Sequence, residues 1–286
     1  MELYEQPQQD WVHNVPEPEL GEPGQRAVPA PVAPECGPSS AEAEVVNALR
    51  SLDVASADIE RYGVHPDQYI EWYGPKDGAP VVLWHGGYFY EDGTLCYLRP
   101  AAYALGEAGY RVALPEYRRM AGNQAVTFED SETLARHPEL EDAVWIGHSA
   151  GAVPVVRALL MDDLPVRHAV ALSPILDLAQ AAREDTERIG VNPVLNWMQV
   201  APEEHLEAYL KWEPRVLYSL MGAAGFQRRG LTLDIIHGAL DQTVPVQRTR
   251  DLMGEPFNIA IVPGENHSDV VRPGSDAWLL LLGALK

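Results

Sequence analysis

The chain has 286 residues, enough to bury one sizeable core in a single domain. Its 42 Asp and Glu outnumber 21 Lys and Arg, a formal net charge of −21. A field of that sign repels phosphate backbones and anionic lipid, which argues against nucleic acid and membrane surfaces as partners. Two cysteines, Cys36 and Cys96, are too few for a disulfide framework or a cysteine metal site. The MELYEQPQQDW start has no basic segment and no apolar run, so no secretory signal is read there. The most apolar stretch, Trp278 to Leu282, is far short of the roughly 20 residues that span a bilayer. A soluble cytoplasmic protein is expected, with a small-molecule substrate, no cofactor and no metal; self-association as a homodimer stays open.

Residues 1–40 are rich in Pro, Glu and Gln and lack periodicity, ending in PAPVAPECGPSS. Such a composition cannot bury enough apolar surface to offset ordering, so an extended or disordered arm is expected, with Trp11 and Leu20 able to dock on the domain. A helix, AEAEVVNALRSL, opens the domain at residues 41–286. β-rich runs follow at Gln68–Tyr73, Pro80–His85, Arg111–Pro115, Ala143–His148, His168–Leu172, Leu231–His237 and Asn258–Val262. Between them lie predicted helices at Leu95–Glu107, Asp130–Arg136, Ala152–Met161 and Val244–Met253, with Asp276–Leu285 after the last strand. PVVLWHG and NIAIVPG are continuous apolar runs, the pattern of strands covered on both faces. An α/β fold with a mostly parallel central sheet flanked by helices is therefore expected. The interval 175–230 breaks the alternation and reads as helical throughout; this helical insertion either roofs the active site or packs on the sheet flank.

The run DAVWIGHSAGAVPVVRALL reads as strand, sharp turn and helix, with Ser149 on the turn in GHSAG. Gly147 and Gly151 are needed because side chains two residues either side of the serine would collide in so tight a fold. The turn lifts the hydroxyl above the strand ends, the Ala150 N–H faces a developing oxyanion, and the helix adds its positive end. Elbows of this kind draw a second oxyanion donor from the loop after an earlier strand. Here APVVLW runs into HGGYFYEDG, so Gly87 and Tyr88 are the candidate donors, Gly87 favoured because no side chain crowds it. His85 is read as shaping that loop. Tyr88 and Phe89 are candidate substrate-binding residues, with packing under the loop as the other reading.

The partners of such a serine follow in the order nucleophile, acid, base. Asp241 lies in the loop after LTLDIIHG, whereas Asp234 lies inside the strand and is expected to face away. His267 lies in the loop after the last apolar strand, in GENHSDVV. Of the nine histidines, His13 is in the arm, His65 and His85 come too early, His137 and His205 are on predicted helices, His148 is in the elbow, and His168 and His237 are on strands. The candidate triad is thus Ser149, Asp241 and His267, with Asp269 a further candidate partner of the base. His237 and Asp241 are four apart but at a strand-to-loop junction, not on a helix face, so no metal site is read.

Together HGGYF, PEYR (Pro115–Arg118), GHSAG, SPILDL (Ser173–Leu178), HGALDQTVP and GENHS resemble the α/β-hydrolase superfamily. Within it they are most similar to the kynurenine formamidase (arylformamidase) branch, with its HGGYW-type oxyanion loop, AGHSAG-type elbow and NH-containing final loop. The resemblance covers Tyr62 to the end and omits the arm. It departs at Phe89, where the branch has Trp, and in a longer helical insertion. It implies an α/β-hydrolase fold with the insertion after the sixth strand, and hydrolysis of N-formylkynurenine to kynurenine and formate in tryptophan breakdown. The same machinery suits a carboxylesterase for small acyl esters. A non-catalytic ligand-binding protein on this fold is a third reading, although such proteins typically lose the base.

Overall fold

The computed structural model describes residues 40–54 and 58–286. The arm expected over residues 1–40, with Trp11, Leu20 and Cys36, lies outside the described residues apart from Ser40. In chain order the elements are α1 Ser40–Ser51, β1 Asp58–Arg61, β2 Tyr69–Tyr73, β3 Ala79–Trp84, α2 Arg99–Glu107, β4 Tyr110–Glu116, α3 Ala125–Ala135, β5 Val144–His148, α4 Ala152–Leu160 and β6 His168–Leu172. Then come α5 Leu178–Ile189, α6 Pro193–Met198, α7 Leu206–Leu210, α8 Pro214–Arg228, β7 Thr232–Gly238, α9 Val246–Arg250, β8 Asn258–Val262 and α10 Asp276–Ala284.

The strands form one sheet in the order β1-β2-β4-β3-β5-β6-β7-β8. β2 is antiparallel to both β1 and β4, and the pairs from β4 through β8 are parallel. The continuous apolar strands are buried on both faces. Along β3, Val82 and Trp84 join a cluster with Val155, Val156 and Leu159 of α4. Val81 and Leu83 face the other way, into a cluster with Leu49 of α1, Leu105 of α2 and Leu281 of α10. A period of two along the strand thus meets a helical layer on each side. β3 lies between β4 and β5, so the chain leaves it in opposite directions along the sheet. Such a switch point opens a crevice at the carboxyl ends of neighbouring strands. The register Trp84↔Gly147 puts the loop after β3 beside the turn after β5.

The structure departs from sequence expectation in places with physical causes. β1, DIER, escapes a reading by pattern because it is short and mostly exposed, with one apolar residue; it survives as an edge paired to β2, and its presence makes His168–Leu172 the sixth strand. α3 begins at Ala125 instead of Asp130, because burial of Val126 and Phe128 overrides the β preference of AVTFE. α9 is shorter than Val244–Met253. The Val244 N–H is bound by Asp241 Oδ1 at 2.6 Å, and Pro245 disfavours helical backbone at the residue before it.

Residues 175–230 hold α5 to α8, and they divide between the two placements considered. Leu178, Ala181, Val194, Trp197 and Tyr209 of α5–α7 pack with Phe89, Ala150 and Val153 above the elbow. Tyr218 and Phe226 of α8 instead pack on the sheet flank with Val155 and Leu159 of α4. No helix among the described residues is long and apolar enough to cross a membrane.

Candidate active site

Ser149 sits where β5 ends and α4 is about to begin, with φ of +56°. Left-handed backbone at a non-glycine residue costs about 1–3 kcal/mol and persists only where its surroundings enforce it. They do so here by contact. A Cβ on Gly147 would lie 2.7 Å from Gly151 O, and one on Gly151 would lie 2.3 Å from His85 O and 2.6 Å from Trp84 O. The atoms met by Gly151 are backbone at the end of β3, which cannot move without distorting the sheet. Gly151→Ala is therefore expected to destabilise the fold by about 1–3 kcal/mol and to lower turnover; a thermal melt beside a kinetic assay checks both.

The loop after β3 closes on this turn. Its close approach belongs to Gly86, where a Cβ would lie 2.8 Å from His148 O and 2.9 Å from Ser149 Cβ. Gly87 (φ +115°), Tyr88 (φ +58°) and Phe89 (φ +58°) then run through left-handed backbone. The Gly86 N–H is occupied, donating to Tyr97 Oη at 2.8 Å. Among the described residues the Gly87 and Tyr88 N–H groups have no acceptor, and Ala150 lies in the first turn after the elbow, where N–H groups precede any helical acceptor. Among the described residues, then, the N–H groups of Gly87, Tyr88 and Ala150 have no acceptor near the Ser149 turn, which is compatible with their reading from sequence without testing it.

A buried ionic cluster holds the loop from below. His85 Nδ1 donates to Gly86 O at 2.7 Å and its Nε2 meets Glu116 at 3.0 Å. Glu116 also binds Arg119 at 2.7 Å and accepts from the Leu95 N–H at 3.2 Å. Arg119 in turn donates to Tyr90 O at 2.9 Å and Gly93 O at 2.5 Å. Burial alone would push the Glu116 carboxyl up, but His85 and Arg119 pull it down to about 2.

Asp241 and His267 meet. His267 Nδ1 donates to Asp241 Oδ2 at 2.8 Å, and both side chains are buried. His237 Nε2 lies 3.0 Å from the same oxygen and donates to Val244 O at 3.1 Å, and Thr249 Oγ1 fixes the far side of that ring at 2.7 Å from Nδ1. Burial would raise the Asp241 carboxyl, but the two imidazoles outweigh it and hold it well below the usual carboxylate range. For His267, burial lowers the imidazole's proton affinity; Asp241, with Glu42 in support, raises it further than burial lowers it, against a small opposing effect of Arg188. Nδ1 is committed to Asp241, and among the described residues neither His267 Nε2 nor Ser149 Oγ has a hydrogen-bond partner. Ser149 and His267 are each 7% exposed.

His148 connects base loop and elbow. Its Nε2 donates to His267 O at 2.9 Å, its Nδ1 accepts from Tyr97 Oη at 2.8 Å, and its ring centre lies 4.9 Å from that of His267. Burial, then the neighbouring His267, pulls the His148 pKa down to about 3, so it stays neutral with one tautomer.

Of the two residues offered for substrate, Tyr88 reaches from the loop after β3 toward the loop after β7, its Oη 3.4 Å from Thr243 Oγ1. Phe89 needs correction. It is 3% exposed and stacks on Trp197 of α6, with ring centres 4.3 Å apart and planes 6° from parallel. An apolar ring beside an unpartnered aromatic face is covered by it, so Phe89 fastens the loop to the insertion. Asp269 is also corrected: it accepts from the Asn266 N–H at 3.1 Å and binds Arg272 at 3.1 Å, bracing its own loop without touching the His267 ring. Asp234 binds His168 at 2.7 Å and Asn258 at 2.9 Å, across β6, β7 and β8 and away from His267.

No family model matches the sequence, and the comparison with curated proteins finds no match. Solved structures do match. Esterase B from Lactobacillus rhamnosis is similar over 84% of this chain and 88% of its own, with a TM-score of 0.63 and 13% identity. A putative thioesterase from a Silicibacter species is similar over 85% of this chain and 91% of its own, with a TM-score of 0.62 and 19% identity. A thermophilic esterase from Thermogutta terrifontis, solved with propionate bound, gives 82%, 92%, a TM-score of 0.54 and 18% identity. The chain has the α/β-hydrolase fold.

Sequence reasoning misses several residues around Asp241 and His267. By pattern His237 is only half of a rejected metal pair, although a histidine four before the candidate acid is a visible signal. Thr243 is two residues beyond the acid in the same loop. Arg188 of α5, donating to Gln242 O at 2.6 Å and to Thr243 O, and Glu42 of α1, accepting from the Gln242 N–H at 2.8 Å, come from distant segments that carry no motif.

Proposed function

We propose that this chain is a serine hydrolase that passes a small acyl group through Ser149 to water, with an aryl formamide such as N-formylkynurenine as its substrate. The observation that carries the reading is the buried Asp241–His267 pair, whose base loop is tied by His148 to the turn that holds the strained serine. In the proposed cycle His267 Nε2 takes the Ser149 hydroxyl proton while Oγ attacks the acyl carbon. Asp241 holds the imidazole in the Nδ1–H tautomer and stabilises the imidazolium. The N–H groups of Ala150 and Gly87, with Tyr88 beside them, receive the oxyanion. His267 then returns its proton to the leaving arylamine, and a water activated in the same way releases formate from the acyl-enzyme.

A small acyl group is supported by the apolar packing that Ala150, next to the serine, joins. Phe89, Ala150, Val153, Ile175 and Val244 are all buried, and α5–α7 cover them. The aryl formamide is supported by the HGGYF, GHSAG and GENHS segments. A second reading, a carboxylesterase for small acyl esters, is supported by neighbours named as esterases, one of them with propionate bound. Rates on N-formylkynurenine and on p-nitrophenyl acetate separate the two. Formamide turnover within about tenfold of ester turnover is expected; an ester preference of orders of magnitude sinks the formamidase assignment and leaves the esterase.

The base also sets a pH limb. His267 must be neutral to accept a proton, and its pKa lies above the ordinary histidine value of about 6.5. Activity, kcat/KM, is therefore expected to fall as pH drops through a midpoint above 6.5. A flat profile from about pH 5 to 8 would count against a histidine base.

A further inference from the structure

We propose that Glu42 is a positioning residue of this site, a carboxylate delivered by α1 that ties the acid loop, the base loop and the oxyanion loop into one arrangement. The inference rests on the serine-hydrolase reading for its kinetic consequence but not for its geometry. Glu42 is fully buried, 200 residues before its first partner. Its Oε1 accepts from the Gln242 N–H at 2.8 Å and the His267 N–H at 3.4 Å. Its Oε2 accepts from Thr243 Oγ1 at 2.9 Å. Thr243 Oγ1 has Tyr88 Oη 3.4 Å away, so the hydroxyl chain Tyr88 to Thr243 to Glu42 reaches the oxyanion loop as well.

These bonds fall on the residues next to the acid and on the backbone of the base itself. Arg188 completes the clamp from the opposite side, donating to the carbonyls of Gln242 and Thr243 while Glu42 accepts from the Gln242 N–H and the Thr243 hydroxyl. A buried carboxylate is costly unless its oxygens are satisfied, so the bonds of Glu42 favour the one register of α1 that makes them. α1 is held there by Leu49, buried against Leu95, Leu98 and Leu105 in the helical layer below the sheet. The triad of this protein is then complete only when a helix from outside the sheet is seated. Misplacing catalytic groups by even 1 Å can lower turnover about 100-fold.

The test is Glu42→Gln with Glu44→Gln, an exposed carboxylate of the same helix, as control. Two readouts are needed: kcat and KM, and the NMR titration of the His267 imidazole in the resting protein. The charged and titratable groups facing His267 are Asp241 from the loop after β7, Glu42 from α1, Arg188 from α5 and His148 from the elbow, with His237 beyond Asp241; the substitution changes one of them. For Glu42→Gln, kcat is expected to fall about tenfold or more with KM changed less than twofold, and the imidazole midpoint to move to lower pH, while Glu44→Gln matches wild type. A Glu42→Gln protein that loses only thermal stability, with wild-type kcat and midpoint, overturns the proposal. Should Glu42→Gln not fold, Thr243→Val removes the donor to Oε2 and leaves Glu42 in place; a several-fold drop in kcat supports the tie and a wild-type kcat overturns it. The titration needs no substrate, so it separates the two ideas. Failure of wild-type Ser149 to react with a fluorophosphonate, alongside a shifted midpoint in Glu42→Gln, defeats the hydrolase reading and leaves the tie standing.

Discussion

Ser149→Ala is expected to lower kcat by about 10⁵- to 10⁶-fold while leaving the fold and substrate binding in place. The hydroxyl has no hydrogen-bond partner among the described residues, so its removal orphans nothing. Alanine keeps the Cβ that packs against Gly86, and it carries the same left-handed backbone at φ +56° that serine does. A melting temperature within a few degrees of wild type is therefore expected. In the proposed cycle the residue acts as a unit with His267: once the nucleophile is gone, removing the imidazole has nothing left to activate. Ser149→Ala with His267→Ala should be no slower than either alone, a non-additivity that unrelated structural damage would not produce. Turnover within about 100-fold of wild type in the single variant would place the nucleophile elsewhere.

Asp241→Asn is expected to lower kcat by about 10⁴-fold, and unlike the serine variant to cost stability. Asp241 accepts two hydrogen bonds in the structure, from His267 Nδ1 on Oδ2 and from the Val244 N–H on Oδ1, and His237 Nε2, which donates to Val244 O, lies 3.0 Å from Oδ2. An asparagine has one acceptor oxygen. Facing Val244 with it turns the amide N–H₂ toward His267 Nδ1, itself a donor, and toward the nearby His237 Nε2, and the opposite orientation sets N–H₂ against the Val244 N–H. Neither satisfies the site. His267 must take the other tautomer, which places its proton on Nε2, where the serine's proton has to go. The unsatisfied buried groups cost about 1–3 kcal/mol. Steady-state kinetics with a denaturant melt checks both parts, and a near-wild-type rate would move the acid role to another residue.

How much of this is legible in the sequence follows from the range over which each signal acts. The parallel sheet is read from apolar runs that each strand carries by itself, such as PVVLW and NIAIV. The elbow is read from Gly147 and Gly151, two glycines within two residues of Ser149, whose need arises inside the tight turn itself. Asp241 and His267 follow from chain order and from the loops after β7 and β8, and the two side chains do meet. What escapes is either short or remote. β1 has four residues with one apolar among them, too little pattern to read. Phe89 looks like a pocket residue because a sequence does not say that Trp197, far along the chain, will cover its ring. Glu42 sits between Ala41 and Ala43 at the start of α1, and nothing near it in the chain announces Gln242, Thr243 or His267. The division of the insertion between roof and flank is likewise a matter of which cluster each helix joins, since its helices all offer apolar residues for burial.

The whole account depends on the hydroxyl of Ser149 being made nucleophilic by His267. The most direct measurement is mass-spectrometric mapping of a fluorophosphonate adduct on the wild-type chain and on His267→Ala. The account predicts stoichiometric labelling of Ser149 in the wild type, and labelling slowed by several orders of magnitude in His267→Ala. A wild-type protein that stays unlabelled, or that carries the adduct on another residue, contradicts it.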